Sequence, residues 1–138
     1  MKTDLHLVFT GQCSDAFAFY EKTFNSKIQM CMKFSDAPGE MPVPPEMKDK
    51  VMHMSMPLGS ALLMGCDAPP NRATPMGGFQ VSVSLTDEAE VKRLYAALSD
   101  GGSVQMPLAQ TFWSPLFGMC TDKFGVGWMV GFAGPPPA

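Results

Sequence analysis

The sequence predicts an α+β fold made of two tandem βαβββ modules, with eight strands and two main helices in all. Two observations lead to this prediction. The segment 79–106 has the pattern of a strand, a helix and a second strand, and the same succession occurs near the N-terminus. In both halves of the chain a hairpin follows that pattern. Because a missed repeat misassigns the whole fold, we take this repeat as the basis of the prediction.

The central segment shows the pattern most clearly. Alternate residues of 80–85 are apolar, which indicates a strand buried on one side. Thr86 then offers an N-cap oxygen to a helix, and Gly101 and Gly102 end that helix. The helix has one apolar stripe, formed by Val91, Leu94, Tyr95 and Leu98.

The first half of the chain repeats these features. Residues 5–9 alternate in the same way, so that Leu5, Leu7 and Phe9 correspond to Val81, Val83 and Leu85. The hairpin turn 57–60 corresponds to 122–125, and Met64 corresponds to Met129. Chance coincidence of short apolar patterns is the alternative, but recurrence of all elements in the same order favours a repeat. We therefore predict a single domain over 1–138, with module one at about 1–67, a linker at 68–77 and module two at about 78–133.

Two other segments carry predictions. Ser14 is the expected N-cap of the first helix, which has four aromatic residues, Phe17, Phe19, Tyr20 and Phe24. The segment 35–50 is rich in proline and charge, which predicts a long loop that serves either as a lid or as plain surface. The tail 134–138 is predicted to be disordered or loosely attached.

Composition excludes several classes of function. The net charge is -3 and lysine and arginine form no cluster, which argues against nucleic acid or an anionic membrane as partner. We find no apolar run long enough to cross a bilayer and no signal peptide, and therefore expect a cytoplasmic protein. The four cysteines lack CxxC spacing and read as reduced thiols rather than as a disulfide or metal framework. The thirteen methionines indicate either a methionine-rich core or a soft-walled pocket.

Four stretches together resemble a known family. They are HLVFTGQCSDAFAFYEKTF from His6, LLMGCDAP from Leu62, QTFWSPLFG from Gln110 and TDKFGVGWM from Thr121. They resemble the PhnB-like subfamily of the vicinal oxygen chelate superfamily, which includes glyoxalase I, bleomycin-resistance proteins and extradiol dioxygenases. This subfamily often carries the domain name 3-demethylubiquinone methyltransferase. The resemblance implies a curved eight-stranded mixed sheet, helices on its convex side, a cavity on its concave side, and a homodimer.

The resemblance also implies where a metal would bind. Metal-using members place four ligands in the cavity, typically His, Gln or Glu, and the equivalent positions here are Asp4, Met64, Gln80 and Met129. Methionine replaces both expected carboxylates, and a thioether is a poor ligand for Zn²⁺, Ni²⁺, Mn²⁺ or Fe²⁺. Even with His6 as a substitute, the set falls short of a tight site. We predict no metal and no cofactor, unless the alignment has slipped.

The residues predicted to line the cavity are His6, Met64, Gln80, Ser82, Phe112, Trp113, Phe117 and Met129. His6 is a candidate general acid or base, and the alternative is a half-buried histidine bonded to the backbone. Trp113 and its aromatic neighbours would form a pocket wall or pack in the core. Cys13, at the start of a helix, is either a thiol with a lowered pKa or a helix-boundary cysteine.

Three functions remain open at this stage. The preferred one is a protein that binds a small apolar or aromatic molecule in a metal-free cavity. The second is an enzyme, either a metal-dependent lyase, isomerase or dioxygenase or a metal-free catalyst that uses His6. The third is an interaction protein whose methionines fill the cavity. The chain has no G-x-G-x-x-G and no G-x-S-x-G motif, so we do not expect methyltransferase or serine-hydrolase chemistry.

Overall fold

The computed structural model of the chain describes residues 1–37 and 43–134. The chain divides into two compact units, Met1–Pro75 and Met76–Ala138. Each unit contains one helix of twelve residues and four strands in the order predicted for a βαβββ module.

The first unit is a four-stranded mixed sheet with one helix. Its elements are β1 Leu5–Phe9, α1 Cys13–Phe24, β2 Met30–Lys33, β3 Val51–Leu58 and β4 Ala61–Asp67. The strands lie in the order β1-β4-β3-β2, and β1 pairs with β4 in parallel while the other pairs are antiparallel. The predicted hairpin turn is present, with Gly59 at φ +57° in the left-handed region that favours glycine.

The second unit repeats the first. Its elements are β5 Val81–Leu85, α2 Glu88–Ser99, β6 Ser103–Ala109, β7 Phe117–Thr121 and β8 Gly127–Phe132. The strand order β5-β8-β7-β6 and the parallel pairing of β5 with β8 match the first unit. The predicted fold is thereby confirmed. Among the described residues, the eight strands pair as two four-stranded sheets.

The strand register reproduces the repeat residue by residue. Leu5 pairs with Leu63 in the first sheet, and Val81 pairs with Trp128 in the second. One residue further along, His6 pairs with Met64, as Ser82 pairs with Met129 in the second sheet. The predicted correspondence of Met64 with Met129 therefore agrees with the strand pairing.

In the first unit, α1 packs on one face of its sheet. Gly65 lies directly under the helix, because a Cβ added there would lie 2.6 Å from Cε1 of Phe17. Phe17 and Tyr20 are fully buried, while Phe19 and Phe24 are only half-buried. The apolar residues that complete this core from the strands are Leu7, Phe9, Val51, Met54, Met56 and Leu63.

In the second unit, α2 packs in the same way. The predicted stripe of Val91, Leu94, Tyr95 and Leu98 is buried. Gly118 is the glycine under this helix, since a Cβ added there would lie 2.7 Å from Cε2 of Tyr95. Cys120, Trp128 and Val130 complete the core from β7 and β8.

Both predicted N-caps are wrong by one or two residues along the sequence. The helix α1 begins at Cys13, and its N-cap Gln12 makes no side-chain cap bond. Asp67, at the end of β4, instead accepts the backbone N–H of Cys13 at 3.0 Å. The helix α2 has Asp87 as its N-cap, and that carboxylate accepts the N–H of Ala89 at 2.9 Å. A carboxylate therefore receives N–H groups at both helix starts, where the helix dipole favours negative charge.

The loop predicted over 35–50 is partly regular. It has short 3-10 helices at Phe34–Asp36 and Pro45–Met47. Pro45 fits at the start of the second one because the first helical turn needs no N–H donor. Residues 38–42 lie outside the described part of the chain, so the lid stays a prediction. The predicted disordered tail also falls mainly on residues 135–138, which are outside it.

Candidate functional site

Each sheet has one face that points away from its own helix, which we call the open face. On the open face of the first sheet, His6, Met64, Ser55 and Met30 form one row across the four strands. On that of the second sheet, the equivalent row is Ser82, Met129, Met119 and Met106. The two rows join the predicted site residues to methionines that sequence reasoning did not single out.

The open face of the second sheet is apolar along its central row and polar at the edge formed by β5. Met129, Met119 and Met106 are half-buried, while Ser82 on β5 is exposed. Gln80, two residues earlier, is also exposed and lies beside Gly127 of β8, where an added Cβ would be 3.1 Å from Cγ of Gln80. The result is a strip of thioether side chains bordered by a hydroxyl and an amide.

An aromatic cluster lies beside this strip, because Phe117 is two residues before Met119 on the same face of β7. The rings of Trp113 and Phe117 are 5.3 Å apart at 70°, and those of Trp113 and Phe112 are 4.7 Å apart at 82°. Phe117 is 8% exposed and pairs with Gly131 of β8. Phe112 is 86% exposed and Trp113 is 45% exposed, so core packing accounts for Phe117 and not for the other two rings.

A turn fixes the loop that carries Trp113. Thr111 donates its backbone N–H to the carbonyl of Ser114 at 2.9 Å, and its hydroxyl accepts the N–H of Ser114 at 3.0 Å. The hydroxyl of buried Ser114 donates to the carbonyl of Leu116 at 2.9 Å. The indole is therefore presented on a short hydrogen-bonded turn, which lowers the entropy lost when a ligand packs against it.

The first open face carries both histidines of the chain. His6 on β1 and His53 on β3 have ring centroids 6.0 Å apart, although β4 lies between their strands. Burial, and secondly the charge of His53, hold the pKa of His6 below its ordinary value. His6 is therefore mainly neutral at pH 7 and presents a nitrogen lone pair.

Asp4, the one carboxylate among the family-equivalent metal positions, is already engaged. Its Oδ1 accepts the backbone N–H of Leu62 at 3.0 Å. Its Oδ2 lies 3.3 Å from Nζ of Lys2. These contacts tie the segment before β1 to β4, which is a structural role for the side chain.

The four family-equivalent positions do not suit a divalent metal. Met64 and Met129 offer thioethers, and Asp4 offers a carboxylate whose oxygens are both in use. Within residues 1–37 and 43–134, no three His, Cys, Asp or Glu side chains lie close enough together to hold a metal ion. The donor chemistry of these four side chains therefore disfavours a divalent cation.

Burial argues against Cys13 as an activated nucleophile. All four are free thiols, with Cys31 exposed and Cys13 and Cys120 buried. Burial, and secondly the carboxylate of Asp67, raise the pKa of the Cys13 thiol far above its ordinary value. The possibility of a lowered pKa at Cys13 is therefore wrong, because burial outweighs the position at the helix start.

Several residues on these faces are not evident from the sequence pattern alone. His53 comes near His6 only through the pairing of both strands with β4. Met106 and Met119 could have been found, since they occupy the same row as Met129. The available clue was the strand alternation, extended to β6 and β7, the second and third strands of the module in chain order.

The comparisons with known proteins agree with this architecture. The glyoxylase/bleomycin resistance protein/dioxygenase domain from Frankia sp. EAN1pec has a TM-score of 0.62 at 12% identity, with coverage of 95% of this chain and 97% of that one. At this identity the likeness shows a shared fold and nothing more. The family model described as 3-demethylubiquinone-9 3-methyltransferase matches residues 1–131, and the chain belongs to this family. The predicted resemblance is thereby confirmed.

Individual relatives cover nearly the whole chain. Protein YjdN of Escherichia coli strain K12 is 30% identical over 133 residues, which are 91% of this chain and 90% of that protein. The crystal structure of PA1353 from Pseudomonas aeruginosa has a TM-score of 0.87 and 39% identity, with coverage of 96% and 97%. The PhnB protein of Bacillus cereus has a TM-score of 0.79 and 26% identity, with coverage of 96% and 100%.

We treat the methyltransferase description as a family name and not as an activity. In the described residues, both sheets are mixed, with one parallel pair each. The common fold for S-adenosylmethionine needs a parallel sheet with a glycine-rich turn after its first strand. Within residues 1–37 and 43–134, no helix is both long enough and apolar enough to span a membrane.

Proposed function

We propose that the chain binds a small apolar or aromatic molecule on the open face of its second sheet. The observation that carries the proposal is the methionine strip of Met106, Met119 and Met129. Phe117 lies beside it on the same face, two residues before Met119, and packs against the exposed ring of Trp113. An exposed apolar surface of this kind on a soluble fold commonly marks a binding site.

The chemistry of the strip supports an aromatic ligand. Thioethers are polarizable and adapt to the shape of what they contact, and sulfur packs favourably at the edge of an aromatic ring. The Trp113 indole already makes edge-to-face contacts on both sides, and a third ring would extend that cluster. Ser82 and Gln80 at the exposed edge would orient a polar substituent of the ligand.

Ligand screening with a matched pair of variants tests the proposal. A panel of uncharged and weakly acidic aromatic compounds is screened by thermal shift, and hits are titrated by calorimetry. We expect at least one compound to raise Tm and Trp113→Ala to weaken its binding by about tenfold, corresponding to about 1.4 kcal/mol. Val104→Ala is the control. This apolar side chain is also exposed, at 51%, but it lies on the helix face of the same sheet, because its register partner Cys120 faces α2.

Two results would overturn the proposal. One is a panel that leaves Tm unchanged at ligand concentrations well above those that saturate typical sites. The other is a compound that binds equally to wild type and to Trp113→Ala, which would place its site elsewhere. Loss of binding in Val104→Ala to the same extent would show that the effect is a general loss of stability.

A metal-dependent lyase, isomerase or dioxygenase is the second candidate, supported by the superfamily and not by the side chains. Its four metal positions would be Asp4, Met64, Gln80 and Met129. Elemental analysis of untagged protein re-equilibrated with Ni²⁺, Zn²⁺, Mn²⁺ and Fe²⁺ distinguishes the candidates. Near-stoichiometric divalent metal that Met64→Leu and Met129→Leu remove would favour this enzyme over simple ligand binding.

Our proposal extends to assembly and location. From the resemblance to the superfamily we infer a homodimer, which sedimentation equilibrium at several protein concentrations would test. From the net charge of -3 we infer a protein that binds no nucleic acid. The four free thiols suit a reducing compartment, and on that basis we propose a cytoplasmic location. Cell fractionation with an antibody tests the location.

A further inference from the structure

We propose that His6, His53 and Met64 on the open face of the first sheet form a binding site for a soft monovalent metal ion of the Cu(I) type. This site lies in the first unit and uses neither the aromatic cluster nor the methionine strip of the second. A test of this metal site is therefore independent of the test of the proposed organic ligand.

The first step of the argument is the approach of the two imidazoles. They are carried by β1 and β3, and β4 lies between those strands. Two strand spacings are about 9.6 Å, whereas the ring centroids are 6.0 Å apart. The rings of His6 and His53 therefore lean toward one another above β4.

The second step is a sulfur ligand on β4, the strand that lies between them. Met64 on β4 is the direct register partner of His6 and is half-buried. Its thioether is on the same face as both rings, because Gly65, the next residue, faces α1. On the outer side, Met32 of β2 is the register partner of His53 and offers a further sulfur nearby.

The third step is the match between donors and ion. Thioether and imidazole suit Cu(I), whereas Zn²⁺ and other harder cations need carboxylates or additional imidazoles. A metal–nitrogen bond is about 2 Å, so two imidazoles that share one ion have ring centroids about 5 to 6 Å apart. The observed centroid separation of 6.0 Å falls at the upper end of that range.

One further feature supports the site. The nearest family-equivalent carboxylate, Asp4, is held by the N–H of Leu62 and by Lys2. The site thus offers neutral donors, which is the setting that favours a soft ion of low charge.

Competition with a chromogenic chelator tests the site. Cu(I) is supplied anaerobically with ascorbate, and bicinchoninate reports the free ion. The protein carries Cys31→Ser and Cys66→Ser, because these two thiols are not buried and would themselves bind Cu(I). Cys66 in particular lies on the same face as Met64, two residues further along β4, so its removal leaves the imidazoles and thioethers as the donors tested. We expect one equivalent of Cu(I) to be retained, and no retention of Zn²⁺ under the same conditions.

Variants then identify the ligands. His6→Gln and His53→Gln should each weaken Cu(I) binding by roughly 100-fold, since even outer-shell partners of metal ligands cost 10- to 100-fold. Met64→Leu, which keeps size and loses sulfur, should weaken it by at least about tenfold. Met76→Leu, a half-buried methionine of the second unit that belongs to neither open face, should leave Cu(I) affinity unchanged.

Spectroscopy guards against effects on folding. X-ray absorption of the Cu(I) protein should show both nitrogen and sulfur scatterers, and the circular dichroism of each variant should match its parent. Retention of Cu(I) by the His6→Gln, His53→Gln double variant at parental affinity would overturn the site. So would sulfur-only coordination, or no Cu(I) retained by the parent against the chelator.

Discussion

Asp67 is the buried group whose removal tests the structure most directly. The side chain is 2% exposed at the end of β4. Its Oδ1 accepts the N–H groups of Gly11 and Cys13 at 2.8 and 3.0 Å, and its Oδ2 accepts that of Val51 at 3.0 Å. One carboxylate thus joins the end of β4 to the start of α1 and the start of β3.

The cost of Asp67→Ala follows from the groups it leaves without acceptors. The N–H groups of Cys13 and Val51 are buried, while that of Gly11 lies in a half-buried residue within reach of water. A hydrogen bond to a charged acceptor contributes about 1.5–3 kcal/mol. Two buried losses give a decrease of about 3–6 kcal/mol in the free energy of unfolding. Asp67→Asn keeps one oxygen acceptor and should lose about 1.5–3 kcal/mol.

Urea unfolding followed by circular dichroism measures these changes. With a slope of about 1.5–2 kcal/mol per molar urea, Asp67→Ala should lower the midpoint by roughly 2 M. Asp49→Ala is the matched control, since that aspartate is exposed and a surface change costs within about 0.5 kcal/mol. If the Asp67→Ala midpoint equals that of the control, the three hydrogen bonds do not hold the unit together as we describe.

Three further predictions concern the core and the thiols. Gly65→Ala should lower the free energy of unfolding by about 1–3 kcal/mol in urea titration, because the new methyl would overlap the ring of Phe17; an unchanged midpoint would contradict the packing. Ellman's reagent at pH 8 should modify exposed Cys31 fast, and buried Cys13 and Cys120 only after denaturation. Burial raises the pKa of Cys120 to about 11, above the roughly 8.5 of an unfolded thiol. The buried, protonated thiol therefore stabilises the fold fully below pH ~8.5, and this contribution to the free energy of unfolding is lost as pH rises toward about 11. In urea titrations over that pH range, Cys120→Ala should show a smaller decrease in the free energy of unfolding than the unchanged protein.

The elements of the fold were predictable because their causes are local. The alternation in 80–85 and the apolar stripe of α2 are written in adjacent residues, and the repeat supplied an independent copy of each. The N-cap of α1 was not predictable in this way. Its carboxylate comes from Asp67, far along the chain, and only the pairing of β4 with β1 brings it there.

The candidate site was predictable only in part for the same reason. Strand alternation placed His6 and Met64 on one face, and the register agrees. The neighbourhood of His53 depends on how β3 pairs with β4, and β3 has an irregular register against β2 near that residue. The resemblance supplied metal positions, but it carried no information about the two middle strands of each module.

The divergence between the two copies indicates what each open face does. Ser55 and Met119 are equivalent, so His53 corresponds to Phe117, just as His6 corresponds to Ser82. Where the first sheet has two imidazoles, the second has a hydroxyl and an aromatic ring. Core positions tolerate such exchanges poorly because packing constrains them, but on an open face the change alters which ligand is recognised. The same scaffold therefore presents nitrogen and sulfur donors in one unit and aromatic and thioether surface in the other, and we infer two ligands of different chemistry.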